Sequence, residues 1–294
     1  MNLSLGIGIG MLLLKSIAYF QTGSAAILSD AAESVVHVVA VAFATYSLYL
    51  SQKPADKEHR YGHTKISFVS AGFEGVMIIL AAAFIIYEST AKWISGLEIQ
   101  NLDTGLILTA SALIINGGLG FYLILIGKRR NSLILKANGK HVLTDAWTSL
   151  GVVVGVALTW FTGWLPLDPI CAYLVAINIL VAGIGLVKES LEGLLDKADP
   201  ELNEQILQIL KAECTTEDIQ FHGLRHLNTG EGHRVEFHLL FEDSMSIQDA
   251  HRVATRIENK IKQAHQTPID VSTHLEPKRD HEQIHTDNHV QHYN

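Results

Sequence analysis

Residues 28–40 read LSDAAESVVHVVA. They lie inside an apolar run from about 25 to 50, and Glu33 and His37 are ionisable. Four residues apart, a carboxylate and an imidazole lie one above the other on a single helix face. Ionisable groups at membrane depth are costly, and they mark functional sites that need a partner. The partner is legible in residues 140–147, KHVLTDAW, where His141 and Asp145 repeat the spacing on another apolar stretch. Two imidazoles and two carboxylates can close around one divalent ion.

The rest of the composition fits a membrane protein. Of 294 residues, 48% are hydrophobic and 18% charged. The charges are unevenly placed: the first fifty residues hold few, and 196–294 are densely polar. That asymmetry predicts a membrane half and a soluble half. Six spans are expected, at about 3–20, 25–50, 66–87, 105–126, 133–161 and 169–187, each near the ~20 residues a bilayer core demands. No cleavable signal is expected at the start, because the next apolar span follows at once.

Lys53, Lys57, Arg60 and Lys65 crowd the loop after the second span, and Lys128, Arg129, Arg130, Lys136 and Lys140 the segment after the fourth. Lys92 stands alone among the opposite loops, beside Glu98, Asp103 and Asp168. The positive-inside rule therefore predicts both termini in the cytoplasm. A net charge of −8 argues against nucleic acid. Cys171 and Cys214 form no C-x-x-C pair, so neither a disulfide framework nor a thiolate site follows. H-E-x-x-H, a nucleophile elbow and a phosphate loop are all missing, which argues against an enzyme.

A depth estimate tests whether the two pairs meet. At ~1.5 Å per residue, Glu33 lies ~12 Å and His37 ~18 Å below one surface, with His141 ~12 Å and Asp145 ~18 Å from the other. In a core ~30 Å thick, Glu33 then sits level with Asp145, and His37 with His141. Such a quartet suits tetrahedral zinc, and also cobalt, iron(II) or cadmium; the absence of thiolate argues against copper(I). The plain alternative is a set of satisfied polar groups between packed helices. Asp30, one turn above Glu33, is a substitute ligand if Glu33 faces away.

After residue 196 the pattern changes. Residues 200–212 read as an amphipathic helix, DIQFHGLRHL (218–227) and HRVEFHLLFE (233–242) as strands, 246–265 as a helix with Ser246 at its N-cap, and PIDVSTHLEP (268–277) as a last strand. The order α-β-β-α-β is a small α+β domain. The expected division is 1–195 transmembrane, 196–280 cytoplasmic metal-binding and dimerisation domain, and 281–294 a disordered His-rich tail.

The motifs SDAAESVVH (29–37), KPADKEHRYGH (53–63), HVLTD (141–145) and LDPI (167–170) resemble those of the cation diffusion facilitator family, proton-coupled divalent-metal exporters. The resemblance runs from Lys15 to Pro277. It implies a six-helix membrane domain with a metallochaperone-like cytoplasmic domain, and a transport site of Glu33, His37, His141 and Asp145. Zinc-type members carry His or Asp first and Asp second in the second span; here the order is Glu then His, which loosens the choice of ion. Asp56, His59 and His63 match a loop that binds a second metal in similar proteins. Lys65 and Asp196 match a pair that interlocks the helices of the dimer, although Ser67 stands where the family has Glu. His222, His238, His251, His274 and Glu276 match the metal positions of the cytoplasmic domain. His226, His233 and His265 match nothing and read as solvated surface groups.

The expectation is a homodimeric antiporter of the inner membrane, with Zn2+ as substrate and regulatory ligand and protons as counter-ions. An empty site of this kind can hold protons that a divalent cation displaces. Fe2+, Co2+, Cd2+, Ni2+ or Mn2+ as the main substrate is the nearest rival. A metal-gated channel or a membrane metal sensor is the alternative of another class.

Overall fold

Six long helices come first: α1 (Asn2–Thr22), α2 (Ala25–Ser51), α3 (Ile66–Ser95), α4 (Leu102–Arg129), α5 (Leu133–Thr162) and α6 (Leu167–Leu194). The computed structural model describes residues 2–96, 102–129, 133–265 and 267–279, with the backbone alone at 2–5, 102, 127, 128, 133–141, 144 and 148. The histidine-rich tail lies outside the described residues. Five of the helices hold stretches long and apolar enough to cross a membrane: Ala25–Ser51, Ile66–Ser95, Asp103–Ile126, Asp145–Thr162 and Leu167–Leu194. The chain divides into two units, Met1–Tyr49 with Ser70–Lys188, and Leu50–Val69 with Glu189–Asn294.

In the first unit the apolar residues point both ways. Phe73, Val76, Leu80, Phe84 and Tyr87 form an exposed stripe along α3 at spacings of three and four, and Leu174, Ile177, Val181 and Ile184 a similar one along α6. Only hydrocarbon covers such faces without cost. The inner faces are built from small residues. A Cβ on Gly75 would lie 2.8 Å from the Gly183 carbonyl oxygen, and one on Gly183 3.0 Å from that of Gly75, so α3 and α6 touch backbone to backbone.

Two polar devices fix the helices. The Asp168 carboxylate of α6 accepts from the Ala25 and Ala26 amides at 2.6 and 3.3 Å and from the Ser24 hydroxyl, placing an anion at the N-terminus of α2. Lys15 of α1 donates to Asp30 of α2 at 2.9 Å and to Ser149 of α5 at 3.2 Å, and Ser149 donates to Asp30 at 2.6 Å. All three are buried. α3 runs eight residues past its expected end at Tyr87 because its polar last turns find partners. Thr90 bonds the Tyr173 hydroxyl at 2.7 Å, and Lys92 donates to the Gly23 carbonyl at 2.7 Å.

The second unit has the expected order: α7 (Pro200–Glu217), β1 (Gln220–Asn228), β2 (His233–Phe241), α8 (Ile247–Ala264) and β3 (Ile269–Pro277). Asp199 caps α7 and Ser246 caps α8, its hydroxyl accepting from the Asp249 amide at 3.1 Å. The sheet order is β1-β2-β3, antiparallel then parallel. Val235, Phe237 and Leu239 on one face pack with Ile206 and Leu210 of α7 and Ile257 and Ile261 of α8. Phe237 is fully buried at the centre of that core. Phe237→Ala should destabilise this unit by about 3–5 kcal/mol. Amide hydrogen exchange on the whole chain should then quicken across β1–β3 and stay unchanged in the first unit.

Candidate metal centre

Within the first unit, His37 and Asp145 approach each other, and Glu33 lines the same cavities. His37 Nδ1 lies 3.4 Å from Asp145 Oδ2. Both side chains are largely buried, at 13% and 17% exposure. Glu33 lines the same space, one helical turn before His37. The three side chains stand between two cavities. One, of about 20 Å³, also touches Lys15 and Asn116. The other, of about 380 Å³, also touches Glu74 and Asn178. His141 lies one turn before Asp145 in the part of α5 described by its backbone alone.

The depth estimate set Glu33 level with Asp145; here it is His37 that faces Asp145, a shift of about one turn. Further along the same two helices, the Ser149 hydroxyl of α5 donates to Asp30 of α2. Asp30 lines neither cavity: its Oδ1 accepts from Lys15 and Ser149, and its Oδ2 is buried with no hydrogen-bond partner among the described residues. Asn116, Asn178 and Glu74 went unnoticed in the sequence because each is a lone polar residue with no partner at helical spacing.

In the second unit, Asp56, His59 and His63 gather in the 51–65 loop. Asp56 Oδ1 is 3.4 Å from His59 Nδ1, and its Oδ2 is 3.5 Å from His63 Nε2. Asp56 accepts from the His59 and Glu58 amides at 2.7 and 2.9 Å. Those backbone donors, His59's first, hold its carboxyl below the usual carboxylate range. It is therefore a ready anion for a cation at neutral pH. Lys65 Nζ lies 2.7 Å from Asp196 Oδ1.

The sheet brings a third group together. Strand register sets His222, His238 and His274 side by side across β1, β2 and β3. Glu276 follows two residues after His274, on the same face. It accepts from His222 Nε2 at 2.9 Å and from His238 Nδ1 at 2.7 Å. His274 Nε2 is 3.6 Å from the same carboxylate. His222, His238 and Glu276 offer ligand atoms close enough for one ion. His251 is not among them: it lies on the exposed side of α8, beside Gln248 and Arg252. The donor set is imidazole and carboxylate, as zinc and its neighbours prefer. Cys214 contributes nothing to it, since burial in the core pushes its thiol up to about 12.

The reading of His226, His233 and His265 as solvated surface groups is corrected. Each keeps a buried ring nitrogen (Nε2, Nδ1 and Nε2) with no hydrogen-bond partner among the described residues. For His226 the cause is a β-bulge between His222 and Arg225, where Gly223 takes φ 65°. Strict alternation puts His226 on the His222 face; the extra residue turns it to the helix-covered side, opposite Val235. Burial first, then the neighbouring His233, holds His226 below the ordinary histidine range. Burial likewise lowers His233, against the pull of Asp199.

Comparison with known proteins gives consistent matches over the whole chain. A family model described as the cation efflux transmembrane domain matches residues 1–195, and one described as the cation efflux protein cytoplasmic domain matches residues 198–278. An uncharacterised transporter of Synechocystis sp. is 36% identical over 278 residues, spanning 95% of this chain and 89% of that protein. The cation-efflux pump FieF of Escherichia fergusonii is 28% identical, with 85% and 83% covered. The cadmium, cobalt and zinc/H(+)-K(+) antiporter of Bacillus subtilis is 25% identical, with 91% and 86% covered.

The buried histidines set a pH dependence. Both have native pKa values below the ordinary 6.5. The unfolded chain therefore binds more protons than the native one just below that pH, and stability falls as pH drops through it. Thermal melts of the full chain in detergent should show this acid loss. The double variant His226→Gln, His233→Gln should flatten it while leaving the melt near pH 8 within a few degrees.

Proposed function

The chain belongs to the cation diffusion facilitator, or cation efflux, family of membrane transporters, and on that premise we propose that it exports a divalent metal ion, zinc foremost, in exchange for protons. The observation that carries this reading is the approach of His37 to Asp145 beside Glu33, inside membrane-length helices and between two cavities. His141, on the same helix as Asp145, completes the ligand set.

The chemistry is one of exclusive occupancy. The empty site binds protons on its carboxylates and imidazoles, and a divalent cation replaces them because the buried volume tolerates little excess charge. Alternating exposure of the two cavities then moves metal one way and protons the other. Orientation follows the basic loops, so both termini lie in the cytoplasm of an inner-membrane protein.

Residues 1–195 form the transport domain and 196–280 a cytoplasmic domain that pairs two copies into a homodimer. Lys65 and Asp196 interlock the helices near that domain. The Asp56–His59–His63 group and the His222–His238–Glu276 group, with His274 beside it, serve as regulatory metal sites. Support for the second is its fit to a single ion in both distance and donor type. His251 is exposed, so it reaches a metal only across a dimer contact. The Glu33-then-His37 order departs from zinc-type members, so iron(II), cobalt and cadmium are tested beside zinc.

Proteoliposomes with a proton-sensitive dye inside measure the exchange. Zinc should drive proton movement, and Asp145→Ala should reduce it by more than the ~10–100-fold that losing an outer-sphere partner costs. Absence of proton movement with every ion would refute antiport. Separately, calorimetric titration of the full chain should find the sheet site weakened at least about tenfold by Glu276→Gln, a direct ligand. Unchanged zinc stoichiometry and affinity in that variant would remove the assignment.

A further inference from the structure

Glu74 is an ionisable residue inside a membrane-length helix, and the site described above leaves it without a role. It lies in α3, on the wall of the 380 Å³ cavity that Glu33, His37 and Asp145 share. Asn178 of α6 lines the same cavity, and the rest of the α3 and α6 lining is apolar: Ile78, Ala81, Ile179, Ala182 and Leu186. The position is built. The neighbouring residue, Gly75, packs against the Gly183 backbone and Val187, which holds the Glu74 turn of α3 against α6. Anchored there, Glu74 stands on the cavity wall rather than on the exposed stripe of Phe73 and Val76.

Position along the helices orders these groups. From the ends nearest the 51–65 loop, Glu74 lies ~12 Å along α3, Asp145 ~18 Å along α5 and His37 ~21 Å along α2. Glu74 is therefore the first carboxylate met on the way from that end of the cavity. A negative charge in a cleft with low-dielectric walls concentrates cations and speeds their capture. Asn178, ~24 Å along α6 by the same measure, lies deeper, nearer the level of His37 and Asp145.

We propose that Glu74 contacts the divalent cation on its approach to the Glu33–His37–Asp145 site, as a receiving station on the side of the 51–65 loop. This rests on the transport reading above. The station sets how fast scarce ions are captured, and the inner site sets how tightly they are held.

The test is zinc-driven proton flux in proteoliposomes of the full chain, measured from scarce to saturating zinc. Glu74→Gln should lower the rate at scarce zinc about tenfold, the lower end of what a focusing charge supplies, and leave the saturating rate within about twofold. Glu74→Asp, which keeps the charge, should restore most of the scarce-zinc rate. The wild-type advantage should also shrink as ionic strength rises. Equal scarce-zinc rates in wild type and Glu74→Gln would overturn the inference. So would rates falling in parallel at all concentrations, since that marks a residue needed for packing or for the conformational cycle. Asp145→Ala separates the two levels. If it is inactive while Glu74→Gln behaves as wild type, only the station is wrong; if it transports like wild type, the inner site falls and the station with it.

Discussion

An ammonium and a carboxylate buried together in a membrane-length bundle constrain everything around them. Lys15 and Asp30 are 3% and 0% exposed. Removing one partner from such a pair strands a charge and costs about 3–5 kcal/mol, although replacing both with apolar groups can be neutral. The pair is thus poor evidence for stability and good evidence for register. Through Ser149 it joins three helices at one level. His37 and Asp145 meet further along the same two helices. The polar groups that fasten these helices are thus distinct from Glu33, His37 and Asp145.

The sheet of the second unit solves a similar problem with backbone alone. Three histidines from three strands fall side by side because β1 and β3 both register on β2 at His238. One carboxylate, Glu276, then satisfies two of the rings. The bulge at Gly223 lets one strand serve both faces. It keeps His222 on the ligand side and sends Leu224 and His226 into the helix-covered side. Without the extra residue, period-two alternation would place His222, Leu224 and His226 on one face and leave the core a residue short.

Periodicity explains what could be read from the chain. Helical spacing placed Glu33 with His37 and His141 with Asp145, and sustained apolar runs gave the long helices to within a few residues at most ends. Strand alternation gave the α-β-β-α-β order. What escaped the sequence depends on contacts between elements. Asp30 and Ser149 join α2 to α5 beside Lys15, yet alone they look like a misplaced acid and an ordinary serine. The burial of His226 depends on a bulge that only the pairing partner reveals. Glu74 stands alone in an apolar run, and nothing in its own helix says that α6 closes on Gly75 and leaves the carboxylate facing a cavity.

The boundary between the two units is not a loop. It falls inside helices: α2 passes it after Tyr49, α3 before Ser70 and α6 after Lys188. The last turns of three transport helices therefore belong to the body that holds the loop and sheet histidines. The exposed Lys65–Asp196 pair, 44% and 42% exposed, adds little to that body's stability. Packing does more: Ser190 donates to the Phe68 carbonyl at 2.7 Å, and the Arg234 guanidinium stacks 4.2 Å from the Tyr61 ring. An ion drawing Asp56, His59 and His63 together would pull directly on the segment joining α2 to α3, and those helices carry Glu33, His37 and Glu74. An ion there would bias those helix ends only by as much as its affinity differs between two arrangements of them.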